Sequence, residues 1–319
     1  MKNDIIIKPN LFIVGAAKAA TTSLHVYLSA HPDVYMSPIK EPNFFSKDIC
    51  CEYFTESFRK KNNFNIDAYL SKKKLKSRHA AYNIRELYQY LKLYRDIRNE
   101  RYAGESSVSY LYSQVAAEEI YRFNPEAKII IVLRNPIERA FSHWLMDLRS
   151  GIAIESSFIG AVLEDYSQAK KGWGVSHLYI ELGLYYKQVK RYIDRFPKDN
   201  VIILLFDELK SNPENFFKKL FEFLDISPLK INAHKRENVA SLPKYPNFTR
   251  VIQLLNINIL AKMILPSFVI ISLKNMINSK RMPKLSKRDK DFLYQFFRED
   301  IQKLEGLIGE DLSMWKNEE

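Results

Sequence analysis

Three apolar runs frame the chain: Leu11–Val14, Ile129–Leu133 and Val201–Phe206. Each is short and continuously apolar, and the second is mostly β-branched, as strands buried on both faces of a parallel sheet are. Between them the pattern changes to helical spacing. A helix opens near Thr21 and gains its apolar residues from Leu24 onward; Ala30-His31-Pro32 ends it, because proline disfavours helix in the residue before it. Ile84, Leu87, Leu91 and Tyr94 are spaced for one face of a helix over 80–98. A short strand is expected to end at Gly104-Glu105, followed by a hydroxyl-rich loop to Tyr112. Asn135 suits a helix cap and Pro136 a first helical position. Further helices are predicted at 158–170 and 179–196, and Asn212-Pro213 leads into an amphipathic helix ending near Leu224. The last segment, 286–315, is helical. This alternation predicts a three-layer α/β fold: a central parallel sheet flanked by helices, with a C-terminal helical segment.

Two places in this pattern carry chemistry. After the first strand comes a small-residue turn, Gly15-Ala16-Ala17-Lys18-Ala19-Ala20, and then Thr21, Thr22 and Ser23 open the helix. The first N–H groups of a helix lack partners and its dipole favours negative charge there, so this arrangement predicts an anion site. Small side chains let the backbone approach a phosphate, and Lys18 adds a mobile positive charge. The spacing is not that of a nucleoside-triphosphate P-loop, which needs four residues between two glycines, with Lys and Ser/Thr directly after the second. The second place is the C-terminal end of 129–133, where open α/β sheets bind ligands. Arg134 stands there and Ser142 two helical turns beyond, a fork and a hydroxyl suited to clamping one phosphate.

Composition narrows the partners without choosing one. The 319 residues hold 49 basic and 37 acidic side chains, a formal charge of +12. That favours anionic ligands: nucleic acid, acidic glycan, a phosphorylated cofactor or a membrane surface. The two cysteines, Cys50 and Cys51, are adjacent and cannot staple distant segments. No metal-ligand cluster is visible. Residues 1–8 are too short and mixed for a secretory signal, which points to a cytoplasmic protein. The lysine-rich run 72–76 reads as a solvated face or an acceptor rim. The apolar stretch 251–273 carries Lys262 and Pro266, so it is read as two short helices packed on the body or lying on a membrane surface, not as a span.

Gly15-x-x-Lys18-x-x-Thr21-x-x-Leu24, then His31-Pro32, then Lys40-Glu41-Pro42-x-Phe44-Phe45 resembles the sulfotransferases, in particular the heparan sulfate N- and O-sulfotransferases and their bacterial relatives. The resemblance implies a P-loop-like fold whose turn (Gly15, Lys18, Ala19, Ala20, Thr21, Thr22, Ser23) holds the 5′-phosphosulfate of 3′-phosphoadenylyl sulfate. It implies Glu41 as catalytic base, with Lys18 acting beside it. Arg134 and Ser142 match the family's Arg-x-Pro-x-x-Arg-x-x-Ser, which binds the 3′-phosphate, while Arg139 is expected to tie its helix to carboxylates. Gly183-Leu184-Tyr185 matches a Gly-x-Tyr whose tyrosine lies near the cofactor. Lys244-Tyr245-Pro246 matches the end of a loop that covers the adenosine. Asp300-Ile301-x-x-Leu304-Glu305 and Leu312-Ser313-x-Trp315 resemble the family's ending.

Departures are Asn43 where relatives often have histidine, and Ser106 and Val108 where Gly104-Glu105 is often followed by lysine and proline. The ionisable group left there, Glu105, is read as structural. The implied organisation is one domain over 1–319: core 1–229, cofactor-covering loop about 230–249, apolar insert about 250–280 and C-terminal helix about 286–315. The implied reaction is sulfuryl transfer, without metal, to a hydroxyl or amine of a small molecule or glycan, leaving 3′-phosphoadenosine 5′-phosphate. A sterol or lipid alcohol is the alternative acceptor, with peripheral membrane contact through 251–273. A bacterial source is expected, and nucleic acid is not an expected partner. Alternatives of other classes are an ATP-dependent kinase and a non-enzymatic binder of anionic glycan or membrane.

Overall fold

The computed structural model describes residues 8–62, 64–150, 152, 157–229, 242–243, 278–279 and 283–316. Five parallel strands form the sheet: β1 (Leu11–Gly15), β2 (Val34–Met36), β3 (Tyr102–Ser106), β4 (Lys128–Leu133) and β5 (Val201–Leu205), in the order β2-β3-β1-β4-β5. All of β1 is buried, and Ile129–Leu133 of β4 are at most 1% exposed, which is why those runs lack polar residues. From β1 the chain runs to one side of the sheet through α1 (Thr21–Ser29), and from β3 it crosses β1 to the other side. The direction of winding therefore changes between β1 and β4. Crevices at such a switch point, outside the carboxyl ends of the strands, are where open sheets take ligands. Here that switch point sets the turn after β1 beside Arg134 after β4.

On the β4 side, α7 (Pro136–Arg149) starts as the sequence predicts: Asn135 Oδ1 accepts from the N–H groups of Ile137 (3.0 Å) and Glu138 (3.3 Å). After α8 (Phe158–Ser167), a short 3₁₀ turn at Glu181–Gly183 precedes α9 (Tyr185–Ile193). The single helix expected over 179–196 therefore starts six residues late. Beyond β5, α10 (Phe206–Ser211) and α11 (Pro213–Leu224) meet at Asn212, whose side chain caps the second of them. The C-terminal helix α12 (Lys287–Ile308) buries Leu293, Phe297, Ile301 and Leu304 against α9 and α7.

Two other expectations are corrected. Within 80–98, α4 covers only Leu87–Leu91, with a 3₁₀ turn at Lys92–Tyr94. The helix buries Gln89 and Tyr90 and the turn Leu93 and Tyr94, while Leu87 is 47% exposed. Ile84 is buried from an irregular segment, so the apparent one-face spacing mixed helix and coil. The hydroxyl-rich stretch after β3 is not a loop throughout, because Ser109–Tyr112 form α5, packed on β1 and followed by α6 (Ala116–Phe123). Two of the hydroxyls on α5 bond inward, Ser109 to Asn43 and Tyr110 to Glu105, and so are not part of a polar face that could be read. In the basic stretch after Cys50, α2 (Glu56–Asn62) and α3 (Ile66–Leu70) form, and Leu75 is buried between exposed lysines. Among the described residues no helix is long and apolar enough to cross a membrane. The stretch 251–273 and Lys244 lie outside the described residues.

Candidate active site

Lys18 and Ala20 both have positive φ, 69° and 60°, a conformation unfavourable for side-chain-bearing residues. The strain bends the turn tightly enough to bring its backbone under the start of α1. Gly15 is required by close approach: a Cβ there would lie 2.7 Å from Leu111 Cβ on α5. Ala20, the cap, offers no side-chain acceptor, and no acidic residue stands in the first turn. The N–H groups of Thr21, Thr22 and Ser23 are left to solvent or ligand. Ala19 is fully buried, Thr21 nearly so, and Thr22 exposed.

The ammonium of Lys18 has no carboxylate against it. Its Nζ lies 3.3 Å from Met146 Sδ on α7. Burial, followed by the charge of Arg149, pushes its pKa down to about 8, with Arg134 and Arg139 adding and Asp147 opposing. Four cationic side chains thus converge on one turn. Arg149 is a member that the sequence reading missed; it lies almost four turns into α7 and belongs to no motif.

Arg134 closes the other side. Nη1 donates to the Lys18 carbonyl (3.2 Å), Nη2 to Glu138 (3.2 Å), and the guanidinium sits 4.7 Å from the Phe206 ring centroid. Its Nε is buried without a hydrogen-bond partner. A buried charged donor left unpaired is costly, so this atom marks where an acceptor is missing. Glu138, Ser142 and Met146 follow at four-residue steps along one face of α7. Ser142, half-buried, is therefore on the face that carries Lys18's neighbour.

Tyr185 is fully buried, and its hydroxyl donates to the Arg134 carbonyl at 2.9 Å. It supports the arginine from behind; burial first of all pushes its pKa up to about 12. Arg139 corrects the expectation of a carboxylate partner: completely buried, it donates to the Tyr179 carbonyl and contacts His143 Nδ1 at 3.5 Å.

Glu41 adopts φ 67° at the carboxyl end of β3, its N–H bonded to the Ser106 carbonyl (2.8 Å) and its carbonyl accepting from Ala81 (3.0 Å) and Asn43 Nδ2 (2.7 Å). Phe44 and Phe45 are buried, which anchors the loop to the sheet. Lys40 and Glu41 are not a solvated surface pair: Lys40 Nζ and Glu41 Oε1 are 2.6 Å apart with both side chains 8% exposed. Oε2 accepts no bond from a described residue. Asn43, also at positive φ, uses its amide to tie Glu41 to Ala81 and Ser109.

Two buried networks flank these groups. Glu105 accepts from Tyr90 (2.7 Å), Tyr110 (3.0 Å) and Ser107 (2.7 Å), with no cation; burial pushes its carboxyl up to about 7. Next to Lys18, Asp147 accepts from His177 Nδ1 (2.8 Å) and Tyr179 (2.9 Å), and His143 Nε2 lies 3.6 Å away. Burial holds His143 down to about 4, whereas His177, despite burial, is raised by Asp147. Thirty residues separate Asp147 from His177, so no spacing in the sequence joins them. Among the described residues no group of three or more His, Cys, Asp or Glu is placed to hold a metal ion.

Fold and site together define an α/β domain with a cationic turn at the switch point of its sheet. The sulfotransferase family pattern matches residues 9–229, and the chain belongs to the sulfotransferase family. It is similar to carbohydrate sulfotransferase 15 of Mus musculus, 25% identical over 254 residues, 69% of this chain and 44% of that protein. It is also similar to heparan sulfate glucosamine 3-O-sulfotransferase 6 of Homo sapiens, 24% identical over 226 residues, 71% of this chain and 55% of that one. The chain spans about half the length of these relatives. A solved sulfotransferase from Alicyclobacillus acidocaldarius superposes with a TM-score of 0.69 at 29% identity, covering 98% of this chain and all of that one.

Proposed function

We propose that this protein transfers a sulfuryl group from 3′-phosphoadenylyl sulfate to a hydroxyl or amine of an acceptor, a glycan before a sterol or lipid alcohol. One observation carries the reading: a capless helix start and an arginine with an unpaired buried Nε face one turn that holds an unpaired lysine. The residues fit a nucleotide with phosphates at both ends of its ribose. The turn with Lys18 takes the 5′-phosphosulfate, while Arg134 and Ser142 take the 3′-phosphate. Relatives named for carbohydrate and heparan sulfate glucosamine sulfation support the glycan.

Glu41 is the base in this scheme. It accepts the proton as the acceptor oxygen or nitrogen attacks sulfur, and a base in reach contributes about 10²–10⁴-fold. Lys18 and the N–H groups of Thr21–Ser23 neutralise the charge that appears on the 5′-phosphate as its bond to sulfur breaks. Arg134 fixes the far end of the nucleotide, and so the line of attack.

Calorimetry with 3′-phosphoadenosine 5′-phosphate, ATP and ADP tests this reading. Tighter binding of the 3′-phosphorylated nucleotide, reduced about 10–150-fold in Arg134→Ala, is the expected result for charged hydrogen bonds. Equal or tighter binding of ATP would overturn it in favour of phosphoryl transfer.

A further inference from the structure

A cavity opens beside Trp173, lined also by Asp48, Tyr53, Tyr112, Gln114 and Lys171. Its volume is about 290 Å³, at the small end of ligand sites and enough for one ring-sized group. One wall is aromatic: Trp173 and Tyr112 lie 6.1 Å apart at 37°, and Tyr53, 73% exposed, stands at the mouth. The rim is polar. Asp48 accepts from the Gln114 N–H (2.8 Å) and Ser113 Oγ, and Lys171 pairs with Glu181. These partners fix the rim groups in place, and a carboxylate, an amide and an ammonium keep further bonding capacity.

The wall is rigid and connected to the candidate base. Gly174, at φ +75°, lets the chain pass Phe54, where a Cβ would come within 2.5 Å of the ring. Its carbonyl accepts from Thr55 (3.0 Å), which fixes the Trp173 turn. Trp173 Nε1 donates to the Tyr82 hydroxyl (3.2 Å), and Ala81, the neighbour of Tyr82, donates to the Glu41 carbonyl. Burial, with the Glu41 carboxylate adding, holds the Tyr82 phenol well above its ordinary pKa. The cavity wall is thus one side chain from Glu41.

We propose that this cavity is an acceptor subsite for one pyranose ring, stacked by its C–H face on Trp173 with its hydroxyls on Asp48, Gln114 and Lys171. A pyranose has one apolar face and a polar edge, which matches an aromatic wall with a charged rim. A flat phenol or a sterol would fill the wall and leave the rim desolvated and unpaired. The subsite's role rests on the sulfotransferase reading; its ligand chemistry does not.

The test is saturation-transfer NMR on the full chain with methyl glycosides of glucose, galactose, mannose, N-acetylglucosamine and glucuronic acid, and with 4-nitrophenol. Tryptophan fluorescence is read in parallel. Of the three tryptophans, Trp144 and Trp315 are buried, so a ligand in the cavity reports through Trp173. At least one glycoside is expected to bind and change the fluorescence. Trp173→Ala should weaken that binding about tenfold and Trp173→Phe restore most of it, as loss and return of a stacking ring do. Tyr53→Ala, at an exposed ring, should weaken it more mildly without threatening the fold. Binding of none of the glycosides, binding indifferent to both Trp173→Ala and Tyr53→Ala, or binding of 4-nitrophenol in their place would overturn the subsite. 3′-Phosphoadenosine 5′-phosphate is titrated into each sample. Its binding shows that a variant is folded, and its failure to bind the parent chain would sink the donor reading while leaving the glycoside result intact.

Discussion

With the donor held as proposed, Lys18 makes its binding depend on pH in a direction set by the lowered pKa. Its pKa is pushed down to about 8 from an ordinary 10.5, mainly by burial and then by Arg149. A phosphate in the turn favours the charged form, so binding returns the pKa upward and takes up a proton. With the bound pKa at its ordinary value, the free protein pays for protonation only above pH 8. Affinity for 3′-phosphoadenosine 5′-phosphate then falls by about 25-fold between pH 7.5 and 9.5, approaching tenfold per unit at the alkaline end. Calorimetry at several pH values measures the fall, and repeating it in buffers of different ionisation enthalpy counts the protons taken up. Lys18→Met should bind more weakly throughout and lose most of the slope. A flat profile in the parent chain, or an undiminished slope in Lys18→Met, would refute this account of the turn.

Glu41→Gln should lower kcat about 10²–10⁴-fold while donor affinity stays within twofold, as the loss of a base does; a kcat within tenfold of the parent counts against Glu41. The same variant leaves Lys40 buried without its anion and should lose about 3–5 kcal/mol of stability, measured by denaturant unfolding, whereas Lys40→Met/Glu41→Leu loses less. Glu105 has its folded pKa raised to about 7, from 4.5, by burial. The parent chain should therefore lose up to about 3 kcal/mol relative to Glu105→Gln as pH rises from 4.5 to 7, then run parallel to it. Urea melts at pH 5 and pH 8 compare the two, and equal differences at both pH values would contradict the burial argument. Gly15→Ala should weaken donor binding and stability together, because Leu111 must move from its place against the turn; crystallography or binding that shows an unmoved turn would refute it.

Where local rules act alone, the sequence was readable. The β1 and β4 runs are apolar because both faces are covered, and Asn135-Pro136 starts α7 by capping chemistry that needs no tertiary partner. Those two facts place Lys18 and Arg134 at neighbouring strand ends. Legibility ends where distant segments decide the outcome. Leu87 matches the apolar spacing yet faces solvent, since the cover of α4 comes from Phe44, Phe45 and Phe123 packed on Tyr90. Glu105 sits among three hydroxyls, one of them fifteen residues away, which no charge pattern announces. Arg149 and Asp147 reach Lys18 only through the crossing of α7, His177 joins Asp147 from thirty residues away, and Trp173 becomes a wall only because Tyr82 meets it across 91 residues.

The C-terminal helix reaches further into the chemistry than its distance along the chain suggests. Asp300 on α12 accepts from the Tyr186 N–H (3.0 Å) at the start of α9, and Trp315 donates to Asp207 (2.8 Å) beside the ring on which Arg134 rests. Tyr185, between them, holds the Arg134 carbonyl. The family pattern ends at residue 229, short of all of this. A fragment cut at that boundary would keep every strand of the five-stranded sheet and every motif around Lys18, Glu41 and Arg134, yet lose the brace behind Arg134. The unit that holds Arg134 in place is therefore set by mechanics, not by motif: it includes Trp315.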